Sequence, residues 1–214
     1  MERKNSFLVG EYYHVYNCGS DQRNIVIDNA DANRLLKSLS AFNTTRPIGS
    51  LYELSNQKDV AMVTDPLVRI ICYCLNPNHF HLLLEEIVEN GISRFMRSFA
   101  GGYSKYFNIT HKRKGTLFQG PFKAKLIEDN DYLLHLSAYI NLNDRVHGLY
   151  GPAKDLVRSS WDEYTANSNG ICQKDIILDQ FSNKVDSYEK FALDILPAML
   201  EKRPEYKELQ KLLY

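Results

Sequence analysis

The sequence predicts an α+β fold, an antiparallel sheet with helices packed on it. Three observations lead there. The elements run strand, helix, hairpin, helix, strand, helix; two apolar strands are joined by the tight turn Asn76-Pro77-Asn78; and no internal repeat is present.

Each element follows from its residues. Tyr12 to Asn17 is aromatic and β-branched and is followed by Gly19-Ser20, which predicts a strand. Asp28 to Phe42 carries Leu35, Leu36 and Leu39 behind early Asp and Asn caps, which predicts a helix. Thr44 to Pro66 mixes Pro, Gly, Ser, Asn and Asp with few periodic apolar positions, so 44–66 reads as a long loop insertion. Val68 to Leu75 and His79 to Leu84 form the hairpin. Ser93 to Asn108 has an apolar stripe at Phe95, Phe99 and Tyr103, with Gly101-Gly102 weakening its middle. Leu117 to Ile127 alternates in part and is expected to return to the sheet. Asp129-Asn130-Asp131 caps a helix through Leu133, Leu136, Tyr139, Ile140 and Leu142. Beyond Trp161 the chain is acidic, with helical segments expected at Ile176–Phe181 and Tyr188–Leu200 and Pro197 ending or bending the second.

The chain has 214 residues, 44% hydrophobic and 24% charged, enough for a real core and an appendage. Collagen-like, low-complexity and globally disordered chains are excluded. No apolar run approaches the roughly 20 residues of a membrane span. The start lacks a signal-peptide stretch, and Cys18, Cys72, Cys74 and Cys172 are too few and irregular for a disulfide scaffold. A non-exported, cytoplasmic protein without a membrane partner is the expectation.

Lys plus Arg and Asp plus Glu number 26 each, so the formal charge is zero, which argues against a nucleic-acid partner until its distribution is read. From Gly91 to Ile127 there is no acid, yet Arg94, Arg97, Lys105, Lys112, Arg113, Lys114, Lys123 and Lys125 are present. Such a stretch attracts a phosphate backbone whatever the total, and it is expected beside the reactive site. Phe95, Phe99, Tyr103, Tyr106, Phe107, Phe118 and Phe122 are interleaved with these cations. Stacking on single-stranded bases is one reading of them, and a plain hydrophobic core is the favoured one.

His79-Phe80-His81 is the sharpest local signal. Alternation along a strand puts both imidazoles on one face, where neutral rings can share a divalent ion. Asn143 could add an amide oxygen, leaving positions open for water and phosphate oxygens. Tyr139, four residues before Asn143 on the same helical face, is the candidate nucleophile. His135, a further turn earlier, reads as a packing or ligand-supporting residue. A closed zinc site from Cys72-x-Cys74 and His79-x-His81 is the weaker alternative, since Cys-x-Cys on an apolar strand is more often core. A paired His-x-Thr/Ser phosphoesterase is set aside, because no second copy of such a motif exists.

Four ordered blocks carry a family resemblance: Tyr13 to Gly19, Tyr73 to Leu84, Gly115 to Lys123 (Gly-Thr-Leu-Phe-Gln-Gly-Pro-Phe-Lys), and Tyr139-Ile140-Asn141-Leu142-Asn143. Over about residues 8–165 the chain resembles the IS200-like single-tyrosine transposases, most closely those associated with repetitive extragenic palindromes. The resemblance implies a ferredoxin-like HUH nuclease fold in residues 1–165, with 166–214 as a helical C-terminal extension. It implies Mg²⁺ or Mn²⁺ held by His79, His81 and Asn143, and attack by Tyr139 on a phosphodiester of single-stranded DNA. The products are a 5′-phosphotyrosine and a free 3′-hydroxyl. It further implies a hairpin DNA partner met by the acid-free stretch, and leaves monomer and homodimer both open. The runner-up is a domesticated hairpin-binding protein without catalysis. Two departures stand out: Asp144 and Pro121 occupy positions where the family usually has Pro and Arg.

Overall fold

The computed structural model describes residues 7–46, 65–166, 168–182 and 184–202. Five strands, β1 (Tyr12–Cys18), β2 (Val68–Leu75), β3 (His79–Glu86), β4 (Lys123–Leu126) and β5 (Arg158–Ser159), form one sheet in the order β4-β1-β3-β2-β5. All described pairings are antiparallel. The long helices are α1 (Asn29–Ala41), α2 (Gly91–Thr110) and α3 (Asn130–Asn141), followed by the single turns α4 (Asn143–His147) and α5 (Pro152–Asp155). Three more, α6 (Trp161–Thr165), α7 (Asp175–Leu178) and α8 (Val185–Glu201), build the C-terminal region. The expected α+β sheet with helices packed on it, and a helical C-terminal region, is what the chain forms.

Alternation sorts the strands into two faces. Tyr13, Val15, Phe80, Leu82 and Leu84 point toward α1 and α2 and join Leu35, Leu39, Phe95, Phe99, Tyr103 and Phe107 in one core. Leu83, Cys72 and Cys74 point the other way and pack with Leu133, Leu136, Ile140 and Tyr188. A register shift between Ile70 and Cys72 lets Ile71 and Cys72 share this second face. Each large side chain so buried contributes about 1.5–3 kcal/mol, which holds both helical layers on the sheet.

Most predicted elements are found where expected, and α1 is capped by Asp28, whose side chain accepts from Asp31 N. Helix α2 runs unbroken through Gly101-Gly102: a Cβ on Gly102 would lie 2.4 Å from the Phe42 ring, so the glycine admits a close approach of the end of α1. One expectation differs. Only Lys123–Leu126 of the 117–127 stretch is strand. Upstream, Phe118 forms an isolated bridge to Gly19, and Gly120 turns with φ 68°. Pro197 lies inside α8, which continues to Glu201. The loop insertion over 44–66 falls mostly on residues 47–64, outside the described residues.

Helix α3 is held from both sides. Its inner face lies on the sheet, and its outer side meets α8. Between α3 and α8, the Tyr188 hydroxyl accepts from Asn141 Nδ2 at 2.8 Å and contacts Ser137 Oγ at 3.2 Å. Asn141 Oδ1 in turn accepts from Ser160 Oγ at 2.6 Å.

Candidate functional site

The hairpin turn is fixed before any chemistry is considered. Asn76 N donates to His79 O at 2.8 Å, and Pro77 O accepts from both Ile25 N and Val26 N. His79 therefore enters β3 at a defined height, and His81 follows on the same face.

The ring of His79 is set by its neighbours. Its Nδ1 lies 2.7 Å from Asn78 Oδ1 and its Nε2 lies 2.9 Å from Asn76 Nδ2. Donation from Nδ1 to Asn78 satisfies both contacts and leaves a lone pair on Nε2. That nitrogen is 3.0 Å from Asn143 Oδ1, which also accepts from Asn76 Nδ2 at 2.6 Å. With Nε2 protonated this contact is a hydrogen bond, and with Nε2 bare it is a pair of facing acceptors that a cation can share.

His81 is positioned from the neighbouring strand. Tyr16 is its cross-strand partner, and His14 Nε2 stands 2.9 Å from His81 Nδ1. When His81 Nδ1 donates to His14, the lone pair of His81 is left on Nε2. This Nε2 is buried and has no hydrogen-bond partner among the described residues, as is true of Asn143 Nδ2. Removal from water lowers the His79 pKa to about 4, against an opposing effect of the Asn143 hydrogen bond. Burial, then Lys125, lowers that of His14 to about 3. His81 is pushed well down by burial and by the neighbouring imidazoles. These rings are neutral at physiological pH, the form that binds metal.

Tyr139 on α3 presents its ring edge-on to His81, with centroids 5.6 Å apart. Helix α3 ends at Asn141, and Asn143 opens α4 after a non-helical Leu142, yet Asn143 still reaches His79. His79, His81, Asn143 and Tyr139 are thus neighbours in the fold. His135 is not part of this group: it is exposed and packs its ring 5.5 Å from Phe191 of α8. The third imidazole is His147. Ligand atoms of His79, His81 and His147 lie within 4.8 Å of one another, the one such cluster of His, Cys, Asp or Glu among the described residues. The orphaned Nε2, the facing acceptors and the neutral rings fit a divalent cation. Cys74 pairs with His81 across the hairpin, but both Cys72 and Cys74 pack into the apolar core and neither joins the imidazole cluster, which does not suit a closed zinc site.

His14, Tyr16, Asn76 and His147 were not singled out from sequence. His14 and His81 are 67 positions apart and meet only through β1–β3 pairing. His147 carried a readable signal, the four-residue spacing from Asn143.

The acid-free stretch is divided between the two faces of the sheet, a correction to its expected place beside the site. Lys123 and Lys125 pair with Tyr16 and His14 and share the imidazole face, with Lys125 Nζ 4.5 Å above the Tyr132 ring. Arg94, Arg97 and Lys105 lie exposed on α2, which covers the opposite face. Lys112, Arg113 and Lys114 follow the C-terminal end of α2, where Arg113 lies over the Phe107 ring. A groove of about 1080 Å³ runs between α2 and the 115–122 segment, lined by Asn17, Arg94, Arg97, Ser104, Phe118 and Phe122 among others. Phe95, Phe99, Tyr103 and Phe107 are core, as favoured from sequence.

Among solved structures, the chain is similar to a REP-associated tyrosine transposase bound to a REP hairpin, with 16% identity and a TM-score of 0.51 over 80% of this chain and 89% of that one. A putative transposase from Deinococcus radiodurans gives 14% identity and a TM-score of 0.35 over 62% of this chain and 91% of that one. No curated protein matches the sequence. Residues 9–143 match the IS200-like transposases, a span that begins before β1 and closes on Asn143. From the first strand through the His-x-His hairpin to the tyrosine helix, the chain belongs to the IS200-like transposase family.

Proposed function

We propose that this protein cleaves and rejoins single-stranded DNA next to a hairpin, using Tyr139 as nucleophile and a divalent ion, Mg²⁺ or Mn²⁺, at His79, His81 and Asn143. The observation that carries the reading is the close approach of these three donors, with the Tyr139 ring standing against that of His81. Membership of a transposase family and the DNA hairpin held by a structural neighbour support the substrate class.

When bound, the ion polarises the scissile phosphate and offsets its charge. The chain's own groups do the rest. Asn76 and Asn78 fix the His79 ring, and His14 fixes His81. Lys123 and Lys125 border this face and attract the phosphate backbone. The Tyr139 oxygen, having lost its proton, forms a bond to phosphorus as the bond to the 3′ oxygen breaks, and that oxygen leaves with the electron pair and takes up a proton. The result is a tyrosine joined to the 5′-phosphate of the downstream strand and a free 3′-hydroxyl on the upstream one. One phosphodiester replaces another, so reversal by a different 3′-hydroxyl joins new ends without a nucleotide cofactor.

The groove beside Arg94 and Arg97 is the candidate seat for the hairpin or its single-stranded flank, with Lys105 and the Lys112-Arg113-Lys114 run extending the basic surface. Residues 1–165 form the nuclease unit in this reading, residues 166–214 its helical cover, and the cytoplasm its place of action.

The test is a gel. Labelled hairpin oligonucleotides with single-stranded flanks are incubated with the protein and Mg²⁺ or Mn²⁺, and a denaturation-resistant adduct is expected. It should vanish in Tyr139→Phe. Tight hairpin binding with no adduct across a broad oligonucleotide panel would replace this reading with a DNA-binding role.

A further inference from the structure

The site holds one more donor than the proposed reaction requires. His147 ends α4 one turn beyond Asn143, so the two side chains leave the same side of the helix. Gly148, with φ 64°, stops the helix immediately afterwards and confines His147 to that turn. Its ring lies 4.6 Å from that of His79, which lies 5.2 Å from that of His81. Ligand atoms of the three rings fall within 4.8 Å of one another. Metal–nitrogen bonds of about 2.1 Å put tetrahedral ligands about 3.4 Å apart, so the cluster has to close by up to about 1.4 Å, a side-chain rotation, when an ion enters.

We propose that His147 is a third imidazole ligand, and that it makes this a nitrogen-rich site selective for a borderline first-row transition ion over Mg²⁺. The inference rests on the reading above that His79, His81 and Asn143 hold a metal, and it deepens that reading by naming the class of ion. Mg²⁺ favours oxygen ligands in a near-ideal octahedron and keeps several waters. Three imidazoles and one amide oxygen suit Co²⁺ or Zn²⁺, with Mn²⁺ bound more weakly than Co²⁺. The side chains already present fill four positions, so fewer remain for water and phosphate oxygens. His147 is therefore a specificity-determining group, and its effect is read on metal binding rather than on turnover.

Co²⁺ is the probe, because its visible absorption reports ligand number and type. Full-length protein is titrated with Co²⁺ in the absence of DNA, then challenged with a large excess of Mg²⁺. The wild type should bind Co²⁺ and retain it against Mg²⁺. His147→Ala should weaken Co²⁺ binding by roughly tenfold or more and alter the visible bands, with added imidazole restoring them. Electron spin-echo spectra of the Mn²⁺-loaded protein should show three coupled imidazole nitrogens in the wild type and two in His147→Gln. Unchanged Co²⁺ affinity and bands in both His147 variants, with binding lost in His79→Ala, would overturn the role of His147 while leaving the three-donor reading intact. Ready displacement of Co²⁺ by Mg²⁺ would overturn the selectivity. A wild type that binds none of Co²⁺, Mn²⁺ or Mg²⁺ would remove both readings together.

Discussion

His14 Nε2 lies 2.9 Å from His81 Nδ1, so a ring on β1 orients a ring on β3 toward the site. Such a partner fixes the tautomer of its neighbour and sharpens the aim of the lone pair. His14→Ala should therefore lower metal affinity by about 10–100-fold while His79 and Asn143 stay in place. Isothermal titration with Mn²⁺ measures it. His14→Asn, which keeps an acceptor on the same strand face, should recover part of the loss. Equal affinities in wild type and His14→Ala would show that His81 needs no such support.

The buried imidazoles also set a pH dependence of stability. The His79 and His14 values, about 4 and about 3, lie below the ordinary value of about 6.5. In the window between, the unfolded chain binds more protons than the folded one, so stability is full above about 6.5 and declines as pH falls. Urea midpoints of the metal-free protein should drop steadily from pH 7 to pH 5, and less steeply in His14→Asn. A flat midpoint over that range, where carboxylates contribute little, would contradict the burial of neutral rings.

Two tyrosines flank His81. The Tyr16 ring lies 5.8 Å from it and that of Tyr139 5.6 Å. Burial and then Tyr132 raise the pKa of Tyr16, which makes its phenolate harder to form. Tyr16→Phe should retain covalent adduct formation within severalfold of wild type, whereas Tyr139→Phe should form none. Adduct mass spectrometry identifies the modified residue directly.

Arg94 and Arg97 line the groove on the far side of the sheet. If both meet phosphates, replacing them with Gln should flatten the dependence of hairpin affinity on salt by about 1.4–1.8 in log–log slope. Fluorescence anisotropy across a salt series checks this. Mn²⁺ affinity should be unaffected, since neither side chain shares a face with the imidazoles.

The glycine pair in α2 separates propensity from packing. Gly101→Ala meets nothing within 4 Å and should stabilise by up to about 1 kcal/mol. Gly102→Ala places a methyl 2.4 Å from Phe42 Cζ, and overpacking should cost about 1–3 kcal/mol despite the same gain in propensity. Chemical denaturation of both variants gives the contrast.

These cases mark what local sequence can and cannot convey. The His-x-His strand, the Asp28 and Asp129 caps and the Tyr139–Asn143 spacing are legible because period and capping act within a few residues. The propensity cost of Gly102 is legible locally, but its packing value is not, because that depends on Phe42 at the end of another helix. Residues 117–122 alternate like a strand, but their backbone follows Gly120 and contacts to Gly19 and Cys18. His135 and His147 both stand four from a named site residue, and only the packing of α8 and the break at Leu142 distinguish them. The eight cations were legible as a segment, but their division between faces depends on which side of the sheet α2 covers.

That division makes the sheet a partition. A single polynucleotide touching both Arg97 and Tyr139 has to round a margin of it, and β4 is the margin joined directly to the 115–122 wall of the groove. Lys123 and Lys125 mark the far side of this passage. Under the proposed reaction substrate length becomes a gate: an oligonucleotide short enough to rest wholly in the groove would occupy the protein without reaching the tyrosine, and cutting would begin only with a flank long enough to turn the corner.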